Sequence, residues 1–363
     1  MSDSGDAPDD LLRERADQSR WKLWLLLEAD RWLVTGVLLA VVFAAFLAVG
    51  YLSPTAENAV RTSDSVDTLF QGFLTATITG VTLVLTLNQL VLSQELGAVK
   101  DQRERMEGAM EFREDVAEAI HAPVSPSRPA QLLRALVQVA GERAGEIEDA
   151  VSEADDEDLR AAVTDLTDSL VENADRVAAG LDDARFGNFD VISSALNFNY
   201  SWKVFTARRI REEYGDDLDE ETAGSLDRLI EVLQLFGPAR EHFKTLYFQW
   251  ELIDLSRRIL VAALPALIVS GVMIAFFNTS YSVTVGGVET LMLVVAVAAT
   301  VSVFPFLILL AYVMRIATIT KHTLSIGPFI LRETDDVAEV EWDRADEVQS
   351  ESEASDDSAG SDP

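Results

Sequence analysis

The sequence contains no cysteine, which removes disulfides, thiolate metal sites and cysteine nucleophiles together. Histidine is almost as scarce: His121, His242 and His322 are the only three, and nothing in the sequence groups them. They read as surface or core-satisfied residues, not as a metal or general-base constellation. No Walker A run, dinucleotide-type glycine loop or HExxH helix is present. The reading is therefore a non-enzyme, with no catalytic residue, no metal ligand and no cofactor assigned. Lysine is the other shortage: it occurs only at Lys22, Lys100, Lys203, Lys244 and Lys321, and every other cation is arginine.

What the chain has in abundance is acid and hydrocarbon. Its 363 residues carry a formal net charge of −32, yet 48% of them are hydrophobic. The two facts fit together only if the apolar residues are concentrated in segments and the acids lie outside them. An acid-rich, lysine-poor surface is what a multimolar-salt cytoplasm selects, because dense carboxylates keep a protein hydrated there. At about 1 M salt the Debye length is only about 3 Å, so charge steering is nearly extinguished. Nucleic acid is excluded as a partner by sign and by screening.

Residues 1–31 form an acidic segment ending in WKLWLLLEADR, an interfacial amphipathic stretch with Trp21 and Trp24, and Trp32 just beyond. No cationic n-region precedes a short apolar run, so a cleaved signal peptide is not expected. Leu33 to Leu52 is long enough, at about 30 Å of helix, to match a bilayer core. Residues 32–93 read as a first transmembrane hairpin. Its second helix, Thr68 to Ser93, places Thr68, Gly72, Thr75, Thr79, Thr82, Thr86, Gln89 and Ser93 at alternating steps of four and three, which is one seam of a helix. The pattern runs on through Leu92, Leu96, Val99, Met106, Met110, Ala117 and Ile120, interrupted by Arg103 and Arg113, and predicts one long coiled-coil-like helix that leaves the bilayer as a stalk.

Residues 94–256 read as a cytoplasmic helical domain. HAPVSPSRP and DDARFGNFD are loops, helical stripes occupy 130–151 and 157–181, and an aromatic centre (Phe186, Phe189, Phe198, Tyr200, Trp202, Phe205, Tyr214) predicts a helix to about residue 213. A further helix starts near Asp219, with a kink at Gly237-Pro238. Arg257-Arg258 mark the start of a second hairpin, 257–315, with spans Ile259–Phe277 and Val288–Val313 that contain Pro265 and Pro305. Residues 316–363 form an acidic cytoplasmic tail, predicted disordered from about 335.

Lys22, Arg31, Lys100, Arg103, Arg105, Arg257, Arg258, Arg315 and Lys321 flank one side of the four spans, and the opposite loops carry only Arg61. The positive-inside bias then puts both termini and the helical insertion in the cytoplasm, for a cell-membrane protein. The fold expected is all-α: an integral membrane protein with four transmembrane helices and a cytoplasmic helical-bundle domain.

The polar seam Gly72, Thr75, Thr79, Thr82, Thr86, Gln89 admits two readings. Small residues let helix backbones approach closely, and threonine hydroxyls satisfy themselves on the preceding turn, so it is a packing face. Alternatively, each copy of a homo-oligomer contributes one wall of a water-lined path. Asn88, nearly opposite the seam, is a possible polar contact, most simply an interhelical hydrogen bond. Asn278 begins an N-x-Ser/Thr sequon on the predicted outer loop and is a possible glycosylation site; Asn199 begins another, on the cytoplasmic side.

The run LNQLVLSQELGAVKDQRERMEGAMEFRED (87–115), with FNYSWKVFTARRIRE (198–212), resembles an uncharacterised family of haloarchaeal multi-pass membrane proteins. The resemblance implies a halophilic source and no particular activity. In outline alone (four spans, both ends inside, helical cytoplasmic bulk) the layout is also similar to bestrophin-type channels. Two functions follow as expectations. One is a non-enzymatic membrane-anchored sensor or interaction scaffold that uses the bilayer and a cytoplasmic protein partner. The other is a homo-oligomeric channel-like protein whose pore is the threonine seam.

Overall fold

A computed structural model of the chain describes residues 24, 29–52, 60, 64–152, 156–182, 184, 189–215, 218–277, 284–285 and 288–322. Helices make up nearly all of it: α1 (Arg31–Leu52), α2 (Ser65–Glu95), α3 (Val99–Ala119), α4 (Pro129–Val151), α5 (Glu157–Asp182), α6 (Phe189–Leu196), α7 (Tyr200–Glu213), α8 (Glu220–Phe276) and α9 (Thr290–His322). A two-residue antiparallel ladder, β1 (Thr284–Val285) with β2 (Val288–Glu289), pairs Thr284 with Glu289 ahead of α9. The all-α expectation holds, and α1, α2, α8 and α9 are long and apolar enough to cross a membrane.

Helix α8 is the backbone of the molecule. It runs 57 residues without interruption, about 85 Å at 1.5 Å per residue, through both Pro238 and Pro265. Asp219 starts it: its carboxylate accepts from the Thr222 amide at 2.7 Å, satisfying one of the orphan donors of a helix N-terminus. The domain boundary expected between residues 256 and 257 falls inside this helix. Trp250 to Ile259 simply continues the helix, because no residue there removes a backbone donor or favours a turn.

The first part of α8 packs with α4, α5 and α7 around one apolar core. Leu133, Leu136, Ile147, Leu166, Leu170, Leu229, Leu233 and Phe236 are all essentially buried in it. Phe198 meets Phe236 edge-on, with ring centroids 4.8 Å apart. The Tyr200 ring lies over Gly237, where an added Cβ would come within 2.8 Å of it, and the Arg240 guanidinium covers the same ring at 4.6 Å. Gly237 is thus a packing requirement: it seats an aromatic ring.

Two other expectations are corrected. The single long helix from the seam to residue 120 is two helices, broken where Leu96 and Ala98 adopt extended backbone on either side of Gly97. The Asp101 carboxylate accepts from the Ala98 amide at 3.1 Å and so restarts the chain as α3. The helix expected through residue 213 is likewise split at Asn197–Asn199, where Asn173, fully buried on α5, donates to the Asn197 carbonyl at 2.8 Å. A buried side chain that satisfies a turn carbonyl competes directly with helix continuation.

At its far end α3 closes with His121 at φ 52°. The His121 and Ala122 amides return to the carbonyls of Glu118 and Ala117, a Schellman cap with histidine in the place that usually takes glycine.

Candidate functional site

Three of the apolar helices, α2, α8 and α9, are joined by two apolar clusters, and Val34 of α1 packs on Ala311 of α9 in a third. Val66 and Phe70 of α2 pack with Met273 of α8 and with Val295, Ala298 and Ala299 of α9. Further along, Val84 packs with Leu255, Ile259 and Ala262 of α8 and with Ile308 and Tyr312 of α9. Between α8 and α9 the Ser270 hydroxyl donates to the Ser302 hydroxyl at 2.9 Å, both fully buried.

This packing decides which face of α2 turns inward. Val66, Phe70 and Val84 are buried, whereas Thr68, Gly72, Thr75, Thr79, Thr82, Thr86, Gln89 and Ser93 are all exposed. No other described helix of the chain covers the seam. Any helix that packs on the seam is therefore not one of the described helices of the same chain. The physical reason is that the opposite, bulkier face offers more apolar area to α8 and α9.

The Thr68, Thr75, Thr82, Thr86 and Ser93 hydroxyls of the seam are bonded within their own helix. Thr75 donates to the Gln71 carbonyl, Thr82 to Ile78 and Thr86 to Thr82, each at 2.9 Å. Thr68, Gly72, Thr75 and Thr79, with Gly80 and with Phe306 of α9 opposite, line an open groove of about 700 Å³. Ala76 and Gly80, which continue the four-residue spacing from Gly72 along the same groove, escaped the reading of the seam, although that spacing is a close-approach signal. Asn88 is half-buried on the inner side, with Val84. Asn278 lies outside the described residues.

A second constellation, unforeseen in the sequence, lies just beyond the Val84 cluster. Arg31, the first residue of α1, forms an ion pair with Glu251 of α8, and it also donates to the Tyr247 hydroxyl at 3.2 Å. Its guanidinium stands 4.9 Å over the Tyr312 ring of α9. The Tyr312 hydroxyl donates to Asp254 at 2.7 Å, and Asp254 pairs with Arg258 at 2.8 Å. The Arg258 guanidinium lies 5.1 Å over Trp32 of α1. Arg315 of α9 donates to the Ala29 carbonyl and covers Phe189 of α6 at 5.8 Å.

Glu251 is 5% exposed, and Tyr247 and Tyr312 are buried. The cluster thus ties α1, α8 and α9 together and reaches α6 of the bundle. The signal in sequence was Glu251 and Asp254 amid Trp250, Leu252, Ile253 and Leu255: two acids in an apolar run with arginines one turn away.

Taken together, these features define an all-helical protein in which four membrane-length helices share one long axial helix with a helical bundle. The chain belongs to the family of unknown function DUF7972, which it matches over residues 1–344. No curated protein and no solved structure matches it.

Proposed function

We propose that the chain is a multi-pass membrane protein with both termini and its helical bundle in the cytoplasm, acting as a non-enzymatic sensor or interaction scaffold. One observation carries this reading: α8 passes without a break from the bundle core into the apolar helices, and a part-buried ionic cluster centred on the buried Glu251 fastens α1 and α9 to it at the crossing. Paired charges in a low-dielectric site hold one geometry firmly, because losing either partner leaves the other buried and unmatched. Displacement of α1 or α9 within the bilayer is thereby transmitted to the bundle as a movement of α8. The acid-rich surface supports a high-salt cytoplasm as the setting.

The test is hydrogen exchange of the protein in nanodiscs of two bilayer thicknesses, at multimolar salt. Amides of α4, α5 and the first turns of α8 should exchange at different rates in the two bilayers, and Glu251→Gln should abolish the difference. Identical bundle exchange in both bilayers overturns the coupling.

The second reading, a homo-oligomeric channel, is favoured by the exposed seam. A face whose hydroxyls are mostly bonded to their own helix, lined by Gly72, Ala76 and Gly80, suits either close approach of a second α2 or a water-lined wall. The absence of cysteine makes single-cysteine variants clean. Thr82→Cys that no aqueous thiol reagent reaches, together with no conductance in planar bilayers, removes this reading.

A further inference from the structure

Where α8 passes into the apolar helices it carries two adjacent cations, Arg257 and Arg258. Arg258 is held in place. Asp254 accepts from it at 2.8 Å, on the same oxygen that takes the Tyr312 hydroxyl, and its guanidinium stands over the Trp32 and Tyr312 rings at 5.1 and 5.7 Å. The remaining N–H groups of Arg258 meet no acceptor among the described residues. Arg257 is exposed, and no described side chain pairs with it.

Arg257 also heads an exposed apolar stripe. Val261, Leu264, Ile268 and Val272 follow it at steps of four, three, four and four, which is one face of a helix, and they are 72%, 64%, 57% and 49% exposed. Val261 to Val272 spans about 17 Å, close to one leaflet of a bilayer core about 30 Å thick. Helical side chains lean toward the helix N-terminus, which for α8 is the bundle end. Both guanidinium groups therefore reach back from the apolar stripe toward the level of lipid headgroups.

We propose that Arg257 and Arg258 form a binding site for the phosphate of an anionic phospholipid whose chain lies along this stripe, an assignment that rests on the membrane reading above. The first observation that selects this ligand is charge complementarity. Residues 29–31, 251–258 and 312–318 meet here through the contacts of Arg31, Arg258 and Arg315. They hold four arginines (Arg31, Arg257, Arg258, Arg315) against three acids (Asp30, Glu251, Asp254), a net +1 in a chain of −32. That sign favours a headgroup of net negative charge over a zwitterionic one, whose ammonium it repels.

The second observation is the set of unmatched donors. Asp254 and the Trp32 ring fix the Arg258 plane and leave N–H groups free, and a guanidinium makes charge-assisted, bidentate bonds to phosphate. High salt removes long-range steering, but a lipid is already in the plane of the site, and a partly buried contact pair is screened much less.

The experiment uses the full chain in vesicles at multimolar potassium chloride, with a fluorophore at Val261→Cys on the cysteine-free background. Brominated phosphatidylglycerol, which is anionic, and brominated phosphatidylcholine, which is zwitterionic, are compared as quenchers. Phosphatidylglycerol should associate beside Val261 about fivefold more tightly, Arg257→Gln should bring the ratio to about one, and Arg257→Lys should restore most of the preference. Since no described side chain pairs with Arg257, Arg257→Gln should elute and melt as the parent does. A fluorophore at Val41→Cys, on the exposed face of α1, should show no preference.

Equal quenching by the two lipids at Val261→Cys, or a preference that survives Arg257→Gln, overturns the proposal. The same preference at Val41→Cys would be adventitious enrichment around the whole protein and overturns it too. Loss of the preference in excess inorganic phosphate would give the site to free phosphate instead of lipid. Quenching at Val41→Cys but not at Val261→Cys would give the stripe to protein, again against the proposal. Quenching at neither position is a different outcome, because it removes the membrane reading itself.

Discussion

Removing one carboxylate should test how the waist of the molecule is built. In Glu251→Ala the Arg31 guanidinium keeps only the Tyr247 hydroxyl at 3.2 Å and the face of Tyr312. Its Nε already has no hydrogen-bond partner, so nothing nearby stands ready to compensate. Breaking a buried pair from one side typically costs about 3–5 kcal/mol, and we expect about 3 kcal/mol because the Arg31 side chain keeps 19% of its surface accessible. At about 2 °C per kcal/mol for a chain of this size, the midpoint for thermal loss of the monodisperse species should fall by about 6 °C.

The informative comparison is the double variant Arg31→Met with Glu251→Met. Apolar residues of similar length remove both charges at once, so it should recover to within about 1 kcal/mol of the wild type; with Arg31→Met and Glu251→Met each costing about 3 kcal/mol, the double-mutant cycle gives a coupling energy of about 5 kcal/mol. Measurement by heating in mild detergent at constant salt, followed by size-exclusion chromatography, is sufficient. Single variants that lose less than about 0.5 kcal/mol, or effects that simply add, would show that the pair is not the fastening described above.

Other consequences are as direct. Gly237→Ala places a methyl group against the Tyr200 ring and should cost about 1–3 kcal/mol, read by urea unfolding, whereas Gly224→Ala, where a Cβ meets nothing within 4 Å, should be neutral or stabilising. His121→Gly relieves a left-handed backbone at the Schellman cap and should stabilise the chain by about 1 kcal/mol in the same assay. Hydrogen bonds from Thr222 hold the Asp219 carboxyl below the ordinary carboxylate range. A depressed folded value means its stabilisation is present above the unfolded carboxylate value and lost as pH falls through the folded one, so Asp219→Ala should flatten the acid limb of stability against pH. Ser270→Ala removes one partner of a buried hydroxyl pair between α8 and α9; at about 0.6 kcal/mol it should be barely measurable, and a loss above about 2 kcal/mol would mean that the pair anchors the two helices.

Much of the architecture was legible because it rests on local rules. Apolar runs of bilayer length announced α1, α2, α8 and α9, the stripes of Leu and Val announced α4 and α5, and Pro129 stands at the first position of α4 as its fixed φ favours. Where local rules competed, the sequence misled. Gly97 read as an ordinary helix residue, yet the break falls there because Asp101 offers the Ala98 amide a better partner than the helix does. Gly237 read only as part of a kink, whereas the structure packs the Tyr200 ring on it within a helix that continues through Pro238.

By itself, then, the sequence determined the periodicities: which segments are apolar enough to leave water, which turns of α2 carry hydroxyls, and that the charge is overwhelmingly acidic. Periodicity names a face but not its neighbour. Only the tertiary structure decided that the bulky side of α2 turns inward and the threonine seam outward. It also gathered Arg31, Tyr247, Glu251, Asp254, Arg258 and Tyr312 into one cluster from helices up to 281 residues apart in sequence, Arg31 to Tyr312. Contacts of that kind depend on how whole helices stack, which is set by the sum of many apolar areas and by the few geometries in which every buried charge finds a partner.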